Sequence, residues 1–351
     1  MPILDKNNKE ERKRLDKFFR ESKYSNYEQS FEFGKFKENV WNTEYVYLEE
    51  NGDIFLGALI LIRKVAKIFN LMYIPKGPIM DLYDEDIMQK FLKEVEPLRK
   101  KYNAFVLKMV PEIEFTEELV KVCKKNNLKV RSEFKSGLEH MQVQQNMILD
   151  IKDKTEEQVL AGYTQKTRYN IRLAERKGVT TRYSNSEDDL KKFYELMKIT
   201  AIRDGISLRP YEYFKDLIDI YKDNARLYFA EYEGKEIASA LEIIWNDRVI
   251  YYYGASANEN RNVMPCYKMQ HDMIKWAIEE KCSFYDFGGI SKKSKEDGLY
   301  RFKVGFTKEE GYKKYIGEID KVYDKFKYYI FTKVMPIAKG ISFKIYQLRN
   351  R

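Results

Sequence analysis

Hydrophobic positions change period several times along the chain, and each change marks an element. Residues Lys9 to Arg20 read as a short charged helix. Val46 to Leu48 and Ile54 to Ile62 read as strands joined by a Glu-Asn-Gly-Asp turn at 50–53, whose Asn-Gly pair suits a tight hairpin. Met72 to Ile74 begins a further strand that stops at Pro75-Lys76-Gly77-Pro78. Asp84 then precedes a helical pattern through Arg99, with Ile87, Phe91, Leu92 and Val95 on one face. Ala104 to Met109 reads as a strand, Thr116 to Asn126 as a helix and Met147 to Ile151 as a strand.

The second half repeats the theme. A basic helix from Thr164 to Lys177 is stopped by Gly178, and helices follow over Glu187 to Asp204 and Tyr211 to Lys222. Leu227 to Tyr232, Ile237 to Trp245 and Val249 to Tyr253 form a meander, Pro265 opens a helix through Lys281, and a strand containing Asp286 comes next. The expected fold class is therefore α/β (α+β), with mixed sheets in two lobes divided near residue 146. Helix, meander, helix and strand in the same order twice point to related lobes facing a shared cleft.

Residues Tyr285 to Phe306 are the most pointed segment. Tyr285 and Phe287 flank Asp286 in strand alternation, and the strand stops at Gly288-Gly289, where backbone can turn sharply or approach a ligand. Alternation resumes with Tyr300, Phe302, Val304 and Phe306 on one face and Arg301 and Lys303 on the other, so Lys303 is expected on a strand. A lysine held beside a glycine turn can stabilise a developing negative charge; the plainer reading is a solvated surface cation.

Composition narrows the chemistry. At 351 residues the chain holds two domains of ordinary size, and aromatics at 15% favour large half-buried sheet surfaces. Lys and Arg exceed Asp and Glu by nine, which draws phosphate-bearing partners or anionic lipid. Cys123, Cys266 and Cys282 lack metal or disulfide spacing and read as reduced thiols in cytosol. With His140 and His271 as the only histidines, no zinc site or nucleophilic triad can be assembled. The N-terminus lacks a signal peptide's apolar core, and the longest apolar run, Ile54 to Ile62, is about half a membrane span. Phe326 to Leu348 mixes Lys327, Lys333, Lys339 and Lys344 with Tyr328, Tyr329, Ile330, Phe331, Ile337 and Ile341. It reads either as a basic amphipathic tail for an anionic membrane or as a helix docked on the first lobe.

Six segments in order resemble the FemABX family of peptidoglycan branching peptidyltransferases. They are Gln29 to Lys35 (QSFEFGK), Tyr73 to Pro78 (YIPKGP), Leu208 to Phe214 (LRPYEYF), Tyr251 to Ser256 (YYYGAS), the Tyr285 to Phe306 unit, and Tyr315 to Asp320 (YIGEID). The resemblance implies two acetyltransferase-like (GNAT-like) lobes. Residues 1–146 with 317–351 would form the first, after a return of the chain and with the basic tail, and residues 147–316 the second. No sustained heptad interrupts the second lobe, so the chain looks like the compact kind.

The activity implied is transfer of an amino acid from aminoacyl-tRNA to a stem-peptide amine of a peptidoglycan precursor, nucleotide-linked or lipid-linked. Aminoacyl-tRNA would be a co-substrate, no other cofactor is called for, and the enzyme would be a cytoplasmic monomer, in peripheral contact with the inner face of the membrane if the tail docks there. Aminolysis of the ester needs positioning and oxyanion stabilisation but no covalent nucleophile. Lys303 aligns with a family lysine and is the catalytic candidate. Lys35 and Arg209 match diphosphate-binding positions, and Tyr253 matches a ligand-binding tyrosine. Tyr213 is expected one helical turn beyond Arg209 on the same face, so that both could reach one ligand. Lys76 is a weaker substrate-side candidate. The helix with Lys166, Arg168, Arg172, Arg176 and Lys177 is a candidate tRNA-facing surface, or simply a solvated basic helix.

One departure from the family is visible. Where compact members carry an aspartate before a strand-end proline, this chain has Val110 before Pro111 and Glu112. No general base is assigned. Two other readings stay open: an acetyl-coenzyme A-dependent N-acyltransferase, although Gly254-Ala255-Ser256 has only one glycine where a phosphate loop is expected, and a non-catalytic RNA or membrane-surface protein.

Overall fold

The computed structural model describes residues 3–65, 68–132 and 141–337. His140, and Lys339, Ile341 and Lys344 of the basic tail, lie outside the described residues. The chain divides into two compact units, residues 1–144 with 314–351, and residues 145–313.

The first unit begins with helices α1 (Lys9–Glu21) and α2 (Phe31–Lys37), followed by strands β1 (Asn42–Glu50), β2 (Asp53–Val65) and β3 (Phe69–Lys76). Asn51 and Gly52, both at positive φ, close the β1–β2 hairpin in the twist that two-residue turns favour. Helix α3 (Glu85–Tyr102) crosses over from β3 to β4 (Ala104–Pro111), which pairs with β3 in parallel. Asp84 starts α3 by accepting hydrogen bonds from the Asp86 and Ile87 amides, and Met88, Phe91, Val95 and Leu98 bury its inner face. These side chains join Ile60, Ile62, Met72, Ile74, Leu107 and Met109 in one core. After α4 (Glu117–Lys125) and β5 (Lys129–Arg131) the chain leaves this unit.

The second unit opens with β6 (Gln145–Asp150), α5 (Glu156–Gly162), α6 (Gln165–Arg176), β7 (Thr180–Tyr183), α7 (Glu187–Asp204) and α8 (Tyr211–Tyr221). A meander of β8 (Ala225–Tyr232), β9 (Lys235–Trp245) and β10 (Arg248–Ser256) follows. Crossover helix α9 (Pro265–Glu279) leads to β11 (Phe284–Ile290), parallel to β10, and then to α10 (Gly298–Thr307) and β12 (Tyr312–Lys314). The sheet order is β12-β6-β11-β10-β9-β8-β7, with Val249, Tyr285 and Phe287 packed against Ile274 and Trp276 of α9 in its main core.

The chain then returns to the first unit. Strand β13 (Glu318–Val322) inserts between β4 and β5, giving the order β1-β2-β3-β4-β13-β5, and α11 (Lys325–Tyr329) leads into a π-helical turn over Ile330–Val334. Both sheets thus share one plan: an antiparallel meander, a crossover helix, a parallel fourth strand, and an antiparallel strand beside it.

The two plans differ in how far the parallel pair runs. Strands β3 and β4 pair along their whole length, with one register shift after Asn70 and Ala104 and then an unbroken ladder from Leu71 and Val106 to Lys76 and Pro111. The β10–β11 ladder runs only from Arg248 and Phe284 to Ile250 and Asp286, although β10 continues to Ser256 and β11 to Ile290. The two strands part there. Register shifts between Tyr251 and Tyr253 against β9, and between Asp286 and Gly289 against β6, bend both strands at the same level.

Candidate functional site

The site in the second unit is built on this parting of β10 and β11. Gly288, at φ +73, turns β11 two residues after Asp286, the last residue paired with β10. The positive φ is what calls for glycine, since a Cβ at this position would make only ordinary contacts, 3.6 Å from the Tyr251 carbonyl oxygen and 3.9 Å from Lys303 Nζ. Asp286, itself buried, organises the turn: its Oδ1 accepts from the Gly288 amide and from Asn146 Nδ2, both at 2.8 Å, and its Oδ2 lies 3.5 Å from Arg248 Nη1.

Lys303 is not on a strand. Asp297 accepts a hydrogen bond from the Tyr300 amide at 2.8 Å and starts α10, so Tyr300, Lys303, Phe306 and Thr307 point inward at helical spacing. The alternation from 300 to 306 misled because Phe302 and Val304 also pack against the core; with apolar residues on nearly every side, a period of two is indistinguishable from 3.6. Helical geometry separates Lys303 from the exposed Arg301 and buries it to 3% exposure. Its Nζ donates to the Gly289 carbonyl at 2.8 Å. Burial draws the Lys303 pKa down to about 8, opposed by the negative charges of Asp286 and Asp297. The close seat of α10 on α6 depends on Gly305, where a Cβ would meet Thr167 Oγ1 at 2.3 Å, and whose carbonyl accepts from the Thr164 amide.

Arg209 stands just before α8, outside the helix, because Pro210 is its N-cap. It still meets Tyr213: the guanidinium lies 5.4 Å above that ring. The Tyr253 hydroxyl donates to the Tyr213 hydroxyl at 3.2 Å, and Tyr253 packs edge-on against Phe214 at 5.0 Å. Arg209, Tyr213 and Tyr253 are thus brought together, with Tyr253 on the free end of β10, two residues past Tyr251. Arg209 is exposed, so its donors face solvent.

In the first unit Lys35 is exposed on α2 and lines a hollow with Leu4, Lys6, Arg12, Phe31, Glu38 and Tyr45. Lys76 has φ +48 just before the cis Gly77–Pro78 bond. It forms a largely buried pair with Glu112 at 3.5 Å, and its ammonium lies 5.0 Å above the Tyr315 ring. Glu112 also accepts from Asn26 Nδ2 at 2.9 Å. Val110 is buried within β4 opposite Pro75 of β3.

Of the basic residues on α6, Lys166, Arg172 and Arg176 are exposed. Arg168 is not a free cation on that surface: its Nη1 donates to the carbonyls of Ala161 and Tyr163, tying α6 to the end of α5. Among the described residues no group of three or more His, Cys, Asp or Glu side chains could hold a metal ion, and no helix is long and apolar enough to cross a membrane.

Asn146, Arg248 and Asp297 are site residues that the sequence reading does not pick out. For Asp297 a signal existed, since an Asp three residues before a large apolar residue is a helix start. Asn146 and Arg248 reach Asp286 only through strand pairing, which spacing alone does not reveal.

Comparison with known proteins decides the family. The FemAB family model matches residues 11–236 and 231–335. The chain belongs to the FemAB family. It is 32% identical over 332 residues to the UDP-N-acetylmuramoylpentapeptide-lysine N(6)-alanyltransferase of Weissella viridescens, covering 92% of this chain and 97% of that protein. It is 27% identical to the lipid II:glycine glycyltransferase of Staphylococcus haemolyticus, covering 87% and 90%. Its fold is that of the solved structure of FemX, with a TM-score of 0.83 at 23% identity over 95% of this chain and 100% of that one. A tandem GNAT protein from the clavulanic acid biosynthesis pathway shares the fold more distantly, with a TM-score of 0.56 at 9% identity over 92% and 97%.

Proposed function

We propose that this FemAB-family protein is an aminoacyltransferase that moves an amino acid from aminoacyl-tRNA to the stem-peptide side-chain amine of a peptidoglycan precursor, building an interpeptide bridge. The observation that carries the reading is Lys303, a buried ammonium at the parting of two strands, in a chain 32% identical to a lysine alanyltransferase along nearly its whole length.

The reaction is aminolysis. The neutral acceptor amine attacks the ester carbonyl of the aminoacyl-tRNA, a tetrahedral oxyanion forms, the C–O bond to the terminal ribose breaks, and the ribose hydroxyl leaves with a proton that the amine gives up. Lys303 in its ammonium form meets the charge that develops on the carbonyl oxygen; a fixed cation in a desolvated site is stronger there than in water. Its bond to the Gly289 carbonyl occupies one of three N–H donors and orients the rest. Arg209, exposed above Tyr213, is assigned to phosphate of the precursor, and Lys35 is assigned the same kind of group by its family match. Lys166, Arg172 and Arg176 supply salt-sensitive contacts to the tRNA backbone.

The test is transfer of radiolabelled amino acid from a mixture of charged tRNAs to nucleotide-linked and lipid-linked acceptors side by side. Label transfer that requires intact tRNA supports the reading. Transfer from acetyl-coenzyme A in its place would replace it with an acetyltransferase.

A further inference from the structure

The surface after β13 is unlike the rest of the molecule. From Lys325 to Arg351 the sequence carries seven Lys and Arg side chains and no Asp or Glu, so the preceding 324 residues account for a net charge of only +2 out of +9. Within the described part of this segment, Phe326, Tyr329, Val334 and Ile337 are exposed at 73%, 60%, 48% and 67%. Their spacing of three, five and three residues through helical turns sets them along one side, with Lys325 and Lys333 exposed among them. The opposite side is fastened to the first unit. The Tyr328 hydroxyl donates to Asp320 Oδ2 at 2.6 Å, and Phe331 packs edge-on against Phe105 at 5.5 Å. A helix anchored on one side and carrying large apolar side chains on the other leaves a stripe without a partner among the described residues.

We infer that the helical segment Lys325–Ile337 is a docking surface for an anionic lipid bilayer, with Phe326, Tyr329, Val334 and Ile337 entering the interface and the surrounding lysines meeting lipid phosphates. The combination selects the partner. Cations alone would suit any polyanion, RNA included, but a phosphate backbone offers nothing to a row of exposed aliphatic and aromatic side chains. A leaflet offers both an apolar depth and a negative surface. Each cation near such a surface adds attraction, and the apolar stripe adds a second signal, which together suit reversible peripheral attachment. The inference builds on the proposed function in one respect: attachment would bring the enzyme to a lipid-linked precursor, while a nucleotide-linked acceptor would not need it.

Flotation of the whole protein with vesicles of phosphatidylglycerol or phosphatidylcholine tests this directly. Binding to phosphatidylglycerol should exceed binding to phosphatidylcholine by about tenfold or more and weaken at high salt. The triple variant Phe326→Ser, Tyr329→Ser, Ile337→Ser should lose about tenfold or more of that binding, with an unchanged thermal melt. Transfer to a soluble nucleotide-linked acceptor should stay at the level of the unmodified protein, and transfer to a lipid-linked acceptor in vesicles should fall. Equal binding to both vesicle types, or undiminished binding by the triple variant, would overturn the surface. Loss of tRNA binding with vesicle binding retained would reassign it to RNA. If neither acceptor is used by the unmodified protein, the functional reading fails while vesicle binding still decides the surface.

Discussion

At Lys303 two demands meet: the ammonium must be dry enough to act strongly and must keep its proton. Burial lowers its pKa to about 8, and Asp286 and Asp297 prevent a further fall. Since the charged form does the work proposed, turnover should decline as pH rises through about 8. Lys303→Met should lower kcat by on the order of a hundredfold or more and leave precursor affinity near normal, as loss of an oxyanion-hole donor does. A steady-state comparison checks this, and an unchanged kcat would return Lys303 to a packing role. Asp286 permits a sharper test. Asp286→Asn keeps an Oδ1 acceptor for the Gly288 amide and Asn146, so the turn survives, but the negative charge is lost. Lys303 would then face burial with less opposition, and the positive charge of Arg248, 3.5 Å from the carboxylate that is lost, would push in the same direction. The alkaline decline should move to lower pH in the Asn variant. A pH–rate profile that loses height at every pH without moving would show that Asp286 matters only for the fold.

Among the elements, those with a local signal were legible in the sequence. Asn51-Gly52 fixed the first hairpin, Asp84 the start of α3 and Pro265 the start of α9. Helix α10 was misread because its apolar residues surround it, and the parting of β10 from β11 was invisible because it depends on register. Strand β9 hides a further feature of the same sheet. Glu242 lies in the core, where the Tyr285 hydroxyl donates to it and Gln270 donates to Tyr285, and burial pushes its carboxyl up to about 8 from an ordinary 4.5. Because the folded state holds this proton more tightly than the unfolded chain, the stability it contributes is complete below about pH 4.5. That contribution is lost progressively as pH rises towards and through about 8. Glu242→Gln cannot ionise and should flatten this decline, with a melting temperature above the unmodified protein by on the order of 5 °C at pH 9 relative to their difference at pH 5. Thermal melts across that range check it; parallel curves would mean that Glu242 is ionised without penalty.

On the scale of the whole chain, the twofold repetition of meander, crossover helix and parallel strand follows from sequence order, since each segment lies beside its neighbour. The return of β13 does not. It comes from beyond the entire second unit, and nothing in its own pattern says that it belongs between β4 and β5. Charge fixes it there. Lys108 of β4, fully buried, donates to Glu318 Oε2 at 2.6 Å and to Asp320 Oδ1 at 2.7 Å on β13. Arg131 of β5 donates to Glu318 at 2.8 Å from the other side. Such a cluster costs several kcal/mol per ion to desolvate, so its net contribution is small while its partners are all present and strongly unfavourable when one is missing. Lys108→Met should therefore destabilise the protein by about 3–5 kcal/mol, because Glu318 keeps Arg131 and Asp320 keeps the Tyr328 hydroxyl, but both lose the buried ammonium that they share. Adding Asp320→Asn and Glu318→Gln to the same chain should recover a large part of that loss by removing the charges that Lys108 had neutralised. Denaturant unfolding of the single and triple variants decides this: if the triple variant is no more stable than Lys108→Met, the uncompensated carboxylates are not the cause of the loss and charge does not hold the returning strand.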